Sequence, residues 1–193
     1  MKLKSTNVKC YITPGNDDDL SIDPILNGSD YVVNPDRRFV NIVKDIGMIS
    51  LGNSNMTPWR CPRDITEEEL FQKIDKLVVE SKNIEKSIFN IHVPPYNTGI
   101  DSAPELDENL RPKLEPGGEV KMMPAGSTAV REEVLKHQPL LGLHGHIHES
   151  KGFIKLGTTL CVNPGSEYQE GILRGFLADI SDGKIKDFMF TAG

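Results

Sequence analysis

Hydrophobic and polar positions alternate with two different periods along this chain, and the switches between them mark out short strands and two amphipathic helices. Val8 to Thr13 alternates branched, aromatic and small side chains and stops at Pro14-Gly15, which predicts a short strand feeding a tight turn. Phe39 to Lys44 and Gly47 to Leu51 are β-rich runs separated by Asp45-Ile46, the pattern of a hairpin. The first helix is expected from Thr66, where Thr66-x-x-Glu69 forms a capping box ahead of Leu70, Ile74, Leu77 and Val78 at helical spacing. Ser87 to Ile91 reads as a buried strand that ends at His92-Val93-Pro94-Pro95, because two prolines forbid further ladder pairing. Tyr96 to Met123 is rich in Pro, Gly and charge and is expected to be a long loop. Ser127 opens a second helix to about Lys136, followed by a strand from Pro139 to Leu143. Beyond Gly152 the pattern is strand only: Phe153–Leu156, Thr159–Val162, Gly171–Ile180 and Lys184–Phe190, the last two joined by Ser181-Asp182-Gly183. Helix–strand alternation followed by a β-meander predicts an α/β chain, in part α+β, with a sheet packed on a second layer and flanked by helices.

Length and composition narrow the class. The 193 residues fit one domain spanning the whole chain, 37% are hydrophobic, and no apolar run approaches the ~18 residues of a membrane span. Met1-Lys2-Leu3-Lys4-Ser5 carries some positive charge but no apolar stretch follows, so a secretory signal is not expected and a cytoplasmic location is the default. Cys10, Cys61 and Cys161 are far apart and odd in number, which argues against a disulfide framework or a zinc knuckle. The net charge of −6 argues against non-specific nucleic-acid binding, whereas a small phosphorylated substrate stays open because local metal charge can outweigh a modest negative field.

The candidate chemistry is concentrated at strand ends. His144-Gly145-His146-Ile147-His148 repeats imidazole at every second position, so an extended backbone would turn all three to one face, where neutral ring nitrogens could converge on a divalent ion. One isolated histidine would most often be a hydrogen-bonded core or surface residue; three in five residues reverse that expectation. His144 is the most dispensable of them, and His137, at a helix end where a cation meets the helix dipole, is left out of the site. Gly15-Asn16-Asp17-Asp18-Asp19 is the second concentration of polar ligands, and standing alone it would read as an Asx turn or helix cap. It is not an EF-hand, since the required Gly and Glu are replaced by Ile22 and Gly28. A cupin-like barrel is disfavoured because no Glu follows either His-x-His pair at the needed offset.

Gly15-Asn16-Asp17-Asp18, Asn90-Ile91-His92-Val93-Pro94-Pro95, Gly142 to Ser150, and Asn163-Pro164-Gly165-Ser166 together resemble the ordered later motifs of the calcineurin-like metallophosphoesterases. The resemblance implies a metallophosphoesterase-type β-sandwich flanked by helices, with two divalent ions (manganese, iron, zinc, nickel or cobalt) at the strand ends. It further implies that Asn16, His92 and His146 bind one ion and His148 the other, and that a metal-activated hydroxide hydrolyses a phosphate ester. Tyr96 and Asn97, next to His92, are the expected substrate contacts.

Two departures from the family pattern follow. Asp17 stands where the family has a histidine that assists the leaving group, and a carboxylate cannot give the same cationic stabilisation, so phosphodiesters with good leaving groups are favoured. The family's first motifs, Asp-x-His and Gly-Asp-x-x-Asp, are absent, and Met1 to Thr13 contains neither Asp nor His. The chain is therefore expected to lack the first β-α-β portion. The start is internal to a longer frame, or another polypeptide supplies the missing half, or the chain is a degenerate metal-binding or interaction module; the first is preferred because the retained ligands are intact and a start in mid-domain leaves sheet edges unpaired. A homodimer is compatible with all three.

Overall fold

The computed structural model describes residues 6, 8–43, 45–81 and 83–193. The Met1 to Ser5 segment and Lys44, at the end of a predicted strand, lie outside the described residues. The segment 8–13 runs extended beside residue 33 and makes one isolated bridge, Tyr11 to Val33, instead of a full strand. A short helix that the sequence did not announce, α1 (Ile22–Asn27), follows the acidic turn.

The predicted hairpin is present as β1 (Arg38–Val43) and β2 (Ile46–Leu51), antiparallel, with Asp45 in the left-handed region closing the turn. Two short strands, β3 (Ser54–Asn55) and β4 (Asp64–Ile65), pair in parallel just before α2 (Glu67–Val79). That helix has the capping box foreseen: the Thr66 hydroxyl accepts from the Glu69 N–H and the Glu69 carboxylate accepts from the Thr66 N–H. Its buried residues, Leu70, Ile74 and Leu77, occupy one stripe. The buried strand β5 (Ile88–Ile91) delivers His92 to its C-terminal end.

The stretch expected to be a featureless loop has structure of its own. β6 (Ser102–Pro104) and β7 (Met122–Pro124) pair antiparallel, and between them residues 105, 113 and 121 close a ring of backbone hydrogen bonds, each 2.8 Å. The Glu105 carboxylate binds Lys113 and Lys121, each at 2.7 Å, which holds its pKa down to about 2, Lys113 contributing most. α3 (Thr128–His137) opens at the Ser127 cap and leads into β8 (Leu141–Leu143). β9 (Gly152–Leu156) and β10 (Thr159–Asn163) form an antiparallel pair, as do β11 (Arg174–Ser181) and β12 (Lys184–Ala192).

The main sheet runs β1-β2-β5-β8-β10-β9, with β2, β5, β8 and β10 parallel and the antiparallel strands at its edges. The last four strands are thus not one meander: two complete this sheet and two form a separate hairpin. Alternate residues go to opposite faces. Ile49, Leu51, Phe89, Ile91 and Cys161 pack under α2 and α3, while Met48, Ile88, Leu160 and Val162 pack against Phe176, Ile180, Ile185, Phe188 and Phe190 of the β11–β12 hairpin. The result is a mixed α/β fold with the sheet between a helical layer and a β layer. Cys161 is a free thiol in the first cluster, and burial pushes its pKa up to about 12. Among the described residues no helix is long and apolar enough to cross a membrane.

Candidate metal centre

The C-terminal ends of β5 and β8 and the turn after residue 13 meet at one place, where open α/β sheets ordinarily bind ligands. Three side chains converge there. The Asn16 amide oxygen, Oδ1, lies 3.0 Å from His92 Nε2 and 3.1 Å from His146 Nδ1, although the residues are 76 and 130 positions apart in sequence. The two imidazoles stand edge to face with centroids 5.2 Å apart.

The chain holds each of the three in place. Asn16 is buried, and its amide nitrogen donates to Asp64 Oδ1 at 2.9 Å, which aims Oδ1 at the histidines. Asp64 is anchored in turn by the N–H groups of Thr57 and Cys61 on its other oxygen. Arg63, buried, donates to the carbonyls of Asp18 and Asp19 and to Asp23, and its own N–H donates to the Asn16 carbonyl, so one cation clamps the acidic turn. Gly15 leaves room for His92, since a Cβ there would sit 2.8 Å from the ring. His146 adopts φ 65°, a conformation rare for residues with a Cβ, and its Nε2 lies 3.1 Å from the Ser54 hydroxyl. Asp101, also buried, accepts N–H bonds from Asn97, Thr98, Gly99 and Gly126 and fixes the path that leaves His92.

Burial lowers the His92 pKa to about 3, with help from the neighbouring His146, and lowers that of His146 to about 4. Both rings are therefore neutral at pH 7; in the metal-free chain Asn16 Oδ1 can accept an N–H from each, and the other tautomer of each ring turns that nitrogen's lone pair to an ion. One amide oxygen with two neutral imidazole nitrogens 3.0 and 3.1 Å from it is a donor set that would suit a divalent ion of intermediate hardness.

The other predicted residues are distributed differently. The three alternate histidines do not share a face, because the strand ends at Leu143 and the chain turns at His146. His144 is buried, with Nδ1 2.8 Å from the Ile91 carbonyl and a pKa lowered to about 4 by burial, which makes it a core residue. His148 is exposed, stands edge to face with Tyr168 at 5.6 Å and faces a separate cavity. Asp17 is exposed on the turn, near the Cys61 thiol. Tyr96 and Asn97 are exposed at the exit of β5, where Arg131 donates to the Tyr96 carbonyl.

Sequence reasoning missed Asp64 and Ser54; the Asp64 signal was a turn former just ahead of a capping box, which names a turn and not its partner. It also passed over Asp75, Glu133 and His137, which meet between α2 and α3 with ligand atoms within 4.8 Å of one another and could hold a metal ion. There the Lys136 ammonium already bridges Asp75 at 2.9 Å and Glu133 at 3.0 Å. Glu133 and His137, one turn apart on α3, carried the only sequence signal for it.

No family model matches the chain. It is 33% identical over 162 residues to the uncharacterized protein MJ1162 of Methanocaldococcus jannaschii, an alignment that takes in 83% of this chain and 65% of that protein. The chain thus spans just under two-thirds of that relative's length. One crystal structure superposes with a TM-score of 0.60 at 20% identity, over 86% of this chain and 60% of its own. The crystal structure of TT1561 of Thermus thermophilus superposes with a TM-score of 0.57 at 18% identity, over 95% of this chain and 71% of its own. These likenesses establish the mixed α/β fold.

Proposed function

We propose that the chain carries part of a metallophosphoesterase site, with Asn16, His92 and His146 holding one divalent ion and His148 a second, and that it hydrolyses a phosphate ester, phosphodiesters being favoured. The observation that carries this reading is the convergence of Asn16 Oδ1 with His92 Nε2 and His146 Nδ1 at 3.0 and 3.1 Å. The resemblance of the motifs that supply these three residues agrees with it. Divalent ions, when bound, neutralise phosphate oxygens and acidify water near neutral pH.

The chain's own residues prepare the place. Asp64 orients the Asn16 amide, burial keeps His92 and His146 unprotonated, and the Ser54 hydroxyl holds the far edge of the His146 ring. Asp17 lies on the same turn, exposed to an incoming substrate. It brings no positive charge to a departing oxygen, which favours esters of acidic alcohols.

The test is turnover of bis(p-nitrophenyl) phosphate with added manganese by the wild type, His146→Ala and His92→Asn. Turnover in the wild type that collapses in both variants is expected. Equal turnover in all three would sink the reading, and manganese binding without turnover would favour a non-catalytic metal-binding module.

A further inference from the structure

Beside His148 opens a cavity of about 350 Å³, and nothing in the metal trio uses it. Its size is at the lower end of the ~300–1,000 Å³ of ligand pockets, room for about one ring system. Its walls are tied together. The Ser166 N–H donates to the His148 carbonyl at 3.1 Å, and the buried Asn163 side chain donates to the Ile147 carbonyl and accepts from the Gly165 N–H. Tyr168 sits on a single 3-10 turn closed by Gly171 in the left-handed conformation, and its side chain is largely exposed, with its ring perpendicular to that of His148.

The charges in the wall are Lys151 and Arg174 against Glu149, Glu167 and Glu170. Arg174 is already engaged by Glu167, its Nε donating to the carboxylate at 2.6 Å. Outside that pair, one ammonium against two carboxylates disfavours a second anionic group, while the open Tyr168 ring offers a flat apolar surface.

We infer that this cavity receives the organic part of the ester, that it selects a flat, uncharged aryl or heteroaryl group lying against Tyr168, and that it rejects a second phosphate. The inference rests on the reading of His148 as a metal ligand, which sets the phosphate at the cavity mouth. Tyr168 is then a specificity-determining residue.

The test is calorimetric binding of phenylphosphonate, methylphosphonate and pyrophosphate to the manganese-loaded chain, with manganese content measured alongside. Phenylphosphonate is expected to bind on the order of tenfold more tightly than methylphosphonate. Tyr168→Ala is expected to abolish that gap and Tyr168→Phe to keep it, while pyrophosphate gains nothing over methylphosphonate. Equal affinities in the wild type, a gap that survives in Tyr168→Ala, a loss of manganese in that variant, or no binding of either phosphonate would each overturn the inference. Failure of the hydrolase reading shows itself separately, as phenylphosphonate binding without turnover of bis(p-nitrophenyl) phosphate.

Discussion

Asp64 gives the sharpest perturbation, because its two oxygens have different tasks. Oδ1 accepts from the Asn16 amide, and Oδ2 accepts from the Thr57 N–H, the Thr57 hydroxyl and the Cys61 N–H. In Asp64→Asn the amide oxygen keeps the three-donor side, which leaves the new NH2 facing the NH2 of Asn16. The donor clash is relieved when Asn16 rotates by half a turn, and this presents its NH2 group, in place of Oδ1, to His92 and His146. Removing the partner that orients a metal ligand costs about 10–100-fold in affinity, or ~1.4–2.7 kcal/mol. Global stability should fall as well, by roughly 2–4 kcal/mol, because all four hydrogen bonds that the Asp64 carboxylate accepts pass from a charged to a neutral partner. Calorimetric titration with manganese near neutral pH, beside urea denaturation of the metal-free protein, separates the two effects. A folded Asp64→Asn variant with wild-type manganese affinity would refute the orienting role.

Two further predictions follow from the same geometry. His92, His144 and His146 have pKa values of about 3, 4 and 4 in the fold against an ordinary value of 6.5, so below that pH the unfolded chain takes up protons that the folded one does not. Stability of the chelator-treated protein should therefore fall as pH drops from 6.5 towards 4, by up to about 1.4 kcal/mol per pH unit for each histidine. A urea midpoint that stays constant across that window would contradict it, and His92→Asn should flatten the slope. Arg63→Met removes one of the two arginines that Asp23 and Asp36 share, leaving Arg37 on both, and frees the acidic turn, for a loss of roughly 1–3 kcal/mol read from the urea midpoint. The Arg63 guanidinium also holds the Asp23 carboxyl below its usual range, so the stability that this carboxylate loses on acidification should shrink in that variant and the acid limb of a urea-midpoint profile should flatten.

Local signals made most of the fold legible. The capping box at Thr66, the Ser127 cap and the prolines after His92 act through neighbours three or four residues away, and each ends or begins an element within a residue or two of the place it marks. What escaped depends on distant partners. α1 has six residues and no side-chain cap, so it is held by Arg63 on Asp23 and not by its own pattern. The ring of backbone bonds through residues 105, 113 and 121 joins segments eight and sixteen residues apart, and its Pro, Gly and Lys content reads as loop. At the candidate site, the motifs singled out Asn16, His92 and His146, which the fold brings together, but Asp64 is a partner 48 residues from Asn16. The alternation of His144, His146 and His148 misled about direction, because period two implies a common face only while the backbone stays extended, and at His146 it does not.

Cobalt(II) titration of the metal-free chain, followed by visible absorption, is the most direct test of whether Asn16, His92 and His146 form a metal centre. A saturable absorption band is expected in the wild type and in His137→Gln, which spares this trio, and is expected to disappear in His92→Asn and His146→Ala. A band that persists in both of those variants, or that is lost in His137→Gln, would place the metal elsewhere, between α2 and α3, and contradict the account.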